Sequence, residues 1–590
     1  MKKILAILLS LTMVLLLFAG CGSTDASTEA TAEASQAASA EQTAADEASA
    51  AEPEAAPATG EAAETEGSAA PGEAGSEAPA VMTVEDFRSE EAKEYTMWMV
   101  LSKFVTEYVE DPQEELVLLQ EVKNRLNVSF DFTLSNPDAV DTEFSLMIAA
   151  ADYCDIIGEM NNYDLGIDDA IDQEIIRDFY DLVEENAPNY WQQLTSHVSN
   201  YMTMVTDSGR MGSLCIFLDD EGAVTEQRGY VTNGAWYDEF GLDIAETVDE
   251  FHEYLSLAYE NYGAQFSITQ YGVEGGVLCA WNVEPGMYVV DGQVHYGYVE
   301  DGMKEYLEMM NQWYSEGLIE TEFYNGTTDT GAQLAGTANG TFSAWGGNAQ
   351  VTTNVYKFDE EGHTSVVAGT PYLKMDEDSE NHCMSSVSYL LSTGTNAWSF
   401  RYDLPDEDVI TLLKVADYMF TDEGQLLYNY GLEGQAFEYD ENGDPQWTDL
   451  IISNPDMQYN VTSYIYASHT GTTYMPGLQK LTKAFYSFTD EQWQCLEAFS
   501  GAGDDEYTIP DSVVLNSDEM ADYQAHATDV ETYYEENFVD WIIGDAVTDA
   551  EWDAYVDTMY SMGVQDMIDA YQSAYDRYSE RYAEAEAIIG

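Results

Sequence analysis

The chain of 590 residues sets 19 Lys and Arg against 111 Asp and Glu, a formal net charge of −92. That excludes a protein tracking nucleic-acid phosphates, which needs clustered basic side chains, and it excludes electrostatic docking on anionic lipid. Yet 45% of the residues are apolar and 13% aromatic, with 42 Tyr and 11 Trp, enough for a large core and too much for an acidic disordered chain.

Lys2 and Lys3 precede an apolar run from Ile4 to Ala19, too short for the roughly 20 residues of a spanning helix, so it reads as an export signal. Ala19 and Gly20 directly before Cys21 resemble the bacterial lipobox, with Phe18 where that motif usually carries Leu. The resemblance implies a signal peptide over 1–20, cleavage before Cys21 and lipidation (palmitate) of its sulfur, whose acyl chains would give the membrane affinity that the charge denies. Residues 21–80 follow as an Ala, Glu, Ser and Thr tether without Lys, Arg or an aromatic side chain. It cannot bury enough apolar surface to fold. This stretch holds 13 acids and no base, so residues 81–590 keep a charge of −81, and the acidity belongs to the folded body.

The body opens with a strand near Tyr95 to Leu101, a helix near Gln113 to Leu126, a strand near Val128 to Leu134, a helix near Thr142 to Ala151 and the apolar pair Ile156 and Ile157. This β-α-β-α-β order predicts a parallel sheet, whose ligands bind at the carboxyl ends of the strands. The loops there are Ser102 to Asp111, Ser135 to Val140 and Met160 to Gly166. Between about Leu214 and Val367 turn-rich strands take over, with hairpin signals at Asp220-Glu221-Gly222, Asp291-Gly292 and Glu361-Gly362, and a later one at Asn442-Gly443. None completes an EF-hand loop, so they read as solvated acidic turns. Helices are expected at Thr247 to Tyr259, Gly302 to Tyr314, Asp408 to Tyr430 and Asp549 to Tyr582, the last with an apolar stripe suited to a core.

No two of the seven histidines stand four residues apart, which argues against a zinc hydrolase, and no nucleophile elbow, phosphate loop or dinucleotide fingerprint occurs. Cys154, Cys215, Cys279, Cys383 and Cys495 show no paired spacing and read as small apolar residues. A glycosidase needs only two carboxylates, so the sequence leaves it open. An aromatic-rich exported body with polar strand-end loops suits carbohydrate recognition, because sugars stack their C–H faces on Trp and Tyr and bond their hydroxyls to amides and carboxylates.

Five segments carry a family resemblance: MIAAADYCDII at 147–157, WYDEFGL with TVDEFHEYL at 236–255, MNQWYSEGLI at 310–319, FTDEGQLLYNYGLEGQ at 420–435 and EWDAYVDTMYSMGVQDMIDAYQSAYDRY at 551–578. In this order they resemble the large extracellular solute-binding lipoproteins of family 1, the capture subunits of carbohydrate ABC importers. Tyr153-Cys154 departs from the family's usual small residue and Pro before Asp-Ile-Ile. The resemblance implies an α/β type 2 periplasmic-binding fold over 81–590, two α/β lobes joined by a multi-crossing hinge with the ligand cleft between them. Lobe 1 is expected at about 92–210 and 366–432, lobe 2 at about 211–365 and 433–590. It further implies a non-enzymatic, monomeric protein, lipid-anchored on the extracellular face of the cell membrane, that captures an oligosaccharide by lobe closure and delivers it to the transmembrane subunits of an ABC permease. A peptide-binding or adhesive lipoprotein is the alternative, ahead of a secreted glycosidase.

Trp345, in FSAWGGNAQ at 342–350, ends an apolar strand before two glycines that let a ligand approach, and in the resembled family this strand end faces the cleft with an aromatic. Trp345 is therefore assigned to stacking and Asn348 to hydroxyl contacts. Trp281, in CAWNVEPGMYV, aligns with a second-lobe aromatic of the maltose-binding branch and is assigned as a second platform. Lys103, Asn161, Asn162 and Tyr163 are assigned to the first-lobe wall, with Tyr474 entering from YMPGLQ. The charge predicts a neutral or cationic ligand. No cofactor is expected; some alginate-binding relatives carry a structural calcium ion, and the carboxylate excess here is compatible with one, though no complete loop identifies a metal site.

Overall fold

The computed structural model describes residues 82–163, 165–219, 228–266, 268, 271–273, 275–325, 341–345, 367–379, 397–469, 474–480, 483, 494, 498, 507–510 and 512–589. The chain divides after Pro79, and everything described lies in the second unit. The leader, Cys21, the tether, Cys383, Cys495, Asn348 and the turns at 220–222 and 361–362 lie outside the described residues, as does the side chain of Trp345.

The β-α-β-α-β start forms as expected: β1 (Lys93–Val100), a helix at Val117–Leu126, β2 (Val128–Ser135), a helix at Val140–Ala150 and β3 (Ile156–Ile157). Both β2 and β3 pair with β1 in parallel, with Val100 opposite Ser135 and Trp98 opposite Ile157. A sheet of this kind needs cover on both faces. Tyr95, Met97 and Met99 turn to one side and join Leu119, Val122 and Leu126 of the first helix; Trp98 and Ile157 turn to the other and join Phe144 and Met147 of the second. Asn127, in the left-handed region at φ 61°, ends the first helix and starts β2 at once.

The sheet is completed by β4 (Ser213–Leu214) and by a late strand discussed below; β5 (Ile216–Leu218) follows β4 outside this sheet. A second, antiparallel sheet contains β6 (Arg228–Asn233), β7 (Thr341–Trp345) and β8 (Val367–Thr370), with β6 in the middle. Around it pack the helices Val248–Tyr262, Asp301–Ser315, Ala527–Ile543 and Asp549–Met562. The first of these is set by a capping box, Thr247 with Glu250, and stopped by Gly263 at φ 68°. The Asp291-Gly292 and Asn442-Gly443 signals both become hairpin turns, Met287–Val290 with Gln293–Tyr296 and Phe437–Tyr439 with Pro445–Trp447. Asp291 and Gly292 both take positive φ, 50° and 77°, as the tight turn requires.

The late strand β9 (Trp398–Phe400) returns to the first sheet, antiparallel to both β3 and β4, giving the order β2-β1-β3-β9-β4. β10 (Gly477–Gln479) then pairs in parallel with β5. The two hydrophobic cores draw on interleaved parts of the chain. The first takes residues between Phe87 and Phe217, between Ala397 and Tyr428, Val461, Tyr464, Tyr474, Met475 and finally Ala585; the second takes residues between Tyr230 and Phe323, Ala368, Leu373 and those between Ala527 and Met567. Val461, Tyr464, Tyr474 and Met475, expected in the second lobe, thus pack in the first core. The reason is a specific tie: the Trp398 indole N–H donates to the Tyr474 carbonyl at 2.9 Å, locking that segment onto β9.

Candidate ligand-binding site

Parallel pairing puts the carboxyl ends of β1, β2 and β3 along one edge, and the antiparallel β9 brings its amino end, and β4 its carboxyl end, to that same edge. From there β5 runs on to Asp219, after which the chain joins the second core at β6, and it is there that the chain returns to β9 from the second core. One rim of the first lobe therefore carries both the three strand-end loops and two of the crossings between lobes. This is the crevice where open α/β sheets take ligands.

The first loop turns immediately into a short helix, Lys103–Val105, with Val105 N donating to Ser102 O at 2.9 Å. Val105 is buried, while Lys103 points outward and pairs with Asp138 of the second loop at 2.6 Å. In the second loop Glu143 accepts from Ser135 Oγ at 2.7 Å and Asn136 N at 3.0 Å, fixing the turn. The third follows β3 through Gly158, where a side chain would press 3.1 Å from the Trp98 carbonyl, and Glu159 at φ 61°, into the turn Met160–Asn162. Met160 anchors this turn in the core; Asn161 is exposed and Asn162 partly so, with their amides 3.5 Å apart. Tyr163 is half-buried and its hydroxyl donates to Asp169 at 2.7 Å, so burial and that carboxylate raise its pKa.

Lys103, Asn161, Asn162 and Tyr163 are thus brought to one rim. Tyr474 reaches the same end of the sheet but lies wholly buried, its ring 5.6 Å from that of Tyr464. Two aromatic groups that the sequence reading passed over stand nearby: Phe104 meets Tyr464 and His469 edge-on at 5.8 and 5.3 Å. A lone Phe beside a lysine and a lone His carry no periodic signal, so only the fold pairs them. Burial, then the Lys483 charge, lowers the His469 pKa to about 3 and keeps the imidazole neutral.

Behind His469, Lys483 is buried, and among the described residues no carboxylate lies in bonding reach; its ammonium donates to Ser468 O and Oγ at 2.8 Å each and to Asn429 Oδ1 at 3.3 Å. Burial drops its pKa to about 7, against a partial rise from Asp219. Arg210, which precedes the amino end of β4, is held by Asp168 and Asp172 at 2.7 Å each.

In the second lobe Trp281 ends the turn Cys279–Trp281, half-buried against the helix Asp301–Ser315. Its indole N–H donates to Glu305 at 3.1 Å and its ring meets Tyr306 edge-on at 5.8 Å. Trp345 ends β7, opposite Arg228 of β6. A groove of about 400 Å³ beside the edge strand β2 is lined by Glu94, Glu110, Asp111, Glu114 and Asp131 with Lys123, and offers carboxylates rather than a stacking platform. Among the described residues no group of three or more His, Cys, Asp or Glu side chains could hold a metal ion, and no helix is long and apolar enough to cross a membrane.

No protein-family model matches the sequence, and no curated protein does. Solved structures do match. An extracellular solute-binding protein from Bifidobacterium longum subsp. infantis superposes with a TM-score of 0.64 at 17% identity, over 82% of this chain and 98% of that one. The alginate-binding protein AlgQ2 without calcium ion gives 0.61 at 18%, over 83% and 99%. The S. pneumoniae ABC-transporter substrate binding protein FusA, in complex with kestose, gives 0.61 at 18%, over 83% and 100%. The likeness shows a shared fold: this chain has the α/β periplasmic-binding fold, two lobes with crossings between them.

Proposed function

We propose that this chain is the capture subunit of a carbohydrate ABC importer, anchored through a lipidated Cys21 on the extracellular face of the cell membrane. It closes its two lobes on a neutral oligosaccharide and presents the closed form to the permease. One observation carries the reading: three polar strand-end loops converge on the rim where the chain crosses between lobes, in a fold whose solved neighbours include an alginate-binding protein and a kestose complex. Only a ligand touching both lobes shifts the open–closed balance. The first-lobe contacts assigned are Lys103, Asn161, Asn162 and Tyr163, with Tyr474 supporting the wall from beneath. The second-lobe contacts are Trp281, Trp345 and Asn348. The net charge, together with the pairing of Lys103 to Asp138 and of Arg210 to Asp168 and Asp172, favours a neutral sugar over an acidic one.

A thermal-shift screen of the purified protein against neutral oligosaccharides, uronic-acid oligomers and short peptides tests this. A true ligand at a hundred times its Kd adds about 2.7 kcal/mol to stability. A neutral oligosaccharide is expected to raise the melting temperature; a rise with peptides alone would replace the reading with peptide capture.

A further inference from the structure

The last helix, Val564–Ile589, is 26 residues long and contains neither Gly nor Pro, so nothing in its sequence builds in a kink. Its two ends belong to different cores. Val564 and Met567 are buried in the second, whereas Ala585 is buried in the first, with Tyr578 and Ile589 packed against it. Between them, the side chains divide the helix sharply. Gln572 grips the second lobe's hairpin, donating to Gly292 O at 3.1 Å and accepting from Val294 N at 2.8 Å. Five and nine residues on, Arg577 and Arg581 both reach Asp207, which follows the first-core residues Met204 and Val205, and Arg581 also donates to the Val205 carbonyl.

Arg577 does more than hold Asp207. Its guanidinium also donates to both oxygens of Glu519, at 2.7 and 2.9 Å, and to Val514 O at 2.7 Å. Glu519 sits on the helix Ser517–Gln524, which packs on the last helix through Met520 and Tyr523, and Ser573 Oγ donates to it at 2.7 Å. The planar five-donor fork of arginine can serve two carboxylates at once, which an ammonium could not do with fixed geometry. Asp207, at 39% side-chain exposure, is held among the described residues by the Arg577 and Arg581 side chains that project from the helix. An ionic contact of that kind can turn more readily than interdigitated apolar side chains, and the helix's apolar seat in the first core is small, Tyr578, Ala585 and Ile589 among the described residues.

We propose that this helix is the fixed connection about which the lobes rotate: it rides with the second lobe up to Gln572 and pivots on the first through the Asp207 clamp, which sets the balance between open and closed forms. The proposal rests on the capture reading for its purpose, but it concerns the ligand-free protein and is tested without any sugar. Small-angle X-ray scattering of the ligand-free chain is compared for the parent, Asp207→Asn and Asp576→Gly. Asp207→Asn removes the charge both arginines share. Asp576→Gly places a flexible residue on the exposed face between the two grips and also removes the Oδ1 that accepts from Gln572 Nε2 at 2.9 Å. Both variants are expected to shift and broaden the pair-distance distribution while circular dichroism stays at the parent's helix content, and raised salt is expected to move the parent toward Asp207→Asn. Superimposable distributions for the parent and both folded variants would overturn the proposal and reduce the clamp to a surface ion pair. If Asp207→Asn lost helix content, Asp576→Gly alone would decide, with an unchanged distribution counting against the pivot. Neither failure would bear on which ligand the cleft takes.

Discussion

Lys103 and Asp138 tie the loop after the first strand to the loop after the second, Nζ to Oδ1 at 2.6 Å, with both side chains mostly exposed. An exposed pair contributes little to stability, typically about 0 to 1 kcal/mol. Here the pair gives two neighbouring loops one common edge and neutralises a cation in the rim assigned to the ligand.

Lys103→Met is therefore expected to leave the unfolding free energy within about 1 kcal/mol of the parent. It should still weaken oligosaccharide binding by about 1 kcal/mol, through loss of a hydroxyl partner. Chemical denaturation and calorimetric titration of the same preparation separate the two effects; unchanged affinity would remove Lys103 from the site.

Trp281 faces two demands, because its ring leans on Tyr306 and its N–H is committed to Glu305. Trp281→Phe should keep most of the stacking surface and lose the tie to Glu305, whereas Trp281→Ala should cost about 1 to 3 kcal/mol of binding if the ring is a desolvated anchor. Tryptophan fluorescence followed through a ligand titration checks the placement, since a signal equal in the parent and Trp281→Phe puts the ring outside the cleft.

The same size of loss, about 1 to 3 kcal/mol, is expected for Trp345→Ala on the stacking assignment. Affinity unchanged with lowered melting temperature would make Trp345 a core residue.

Lys483 gives a pH dependence of defined sign. Its folded-state pKa of about 7 lies below the ordinary value of 10.5, so between those pH values the unfolded chain holds a proton that the folded chain has released. Stability from this group accordingly rises as pH increases from about 7 toward 10.5, and the penalty is fully present below pH 7. Melting temperatures of the parent and Lys483→Met, followed from pH 6.5 to 9.5 on either side of that folded pKa, should converge or cross in the parent's favour as pH rises. Parallel curves would show that the ammonium keeps its proton in the fold.

The alternation of β1, β2 and β3 with two helices was legible because short apolar runs alternate with amphipathic helical stretches, and their parallel order located the three rim loops. Element boundaries failed where a single residue breaks a long periodic stretch. The helix expected over 408–430 is split because Thr421 caps a new helix through Gly424 N. The helix expected over 549–582 is split at Gly563, whose φ of 109° no side chain readily adopts and whose Cβ would strike His526 at 2.3 Å. Apolar periodicity also does not say which core a helix enters. Tyr464 and Tyr474 lie in the first core and Tyr534 and Tyr555 in the second, though all four belong to the stretch expected in one lobe. In the same way Tyr474 is assigned to the first-lobe wall from the YMPGLQ segment, and only the bond from Trp398 to its carbonyl reveals the burial.

Capture by closure of the lobes on a neutral oligosaccharide is tested most directly by following the radius of gyration of the protein through a titration with the oligosaccharide that most raises its melting temperature. The account predicts a saturable decrease in radius with the same midpoint as calorimetric binding, because a ligand bridging both lobes populates the closed form. A radius unchanged at saturation would contradict it, leaving a sugar-binding surface without closure.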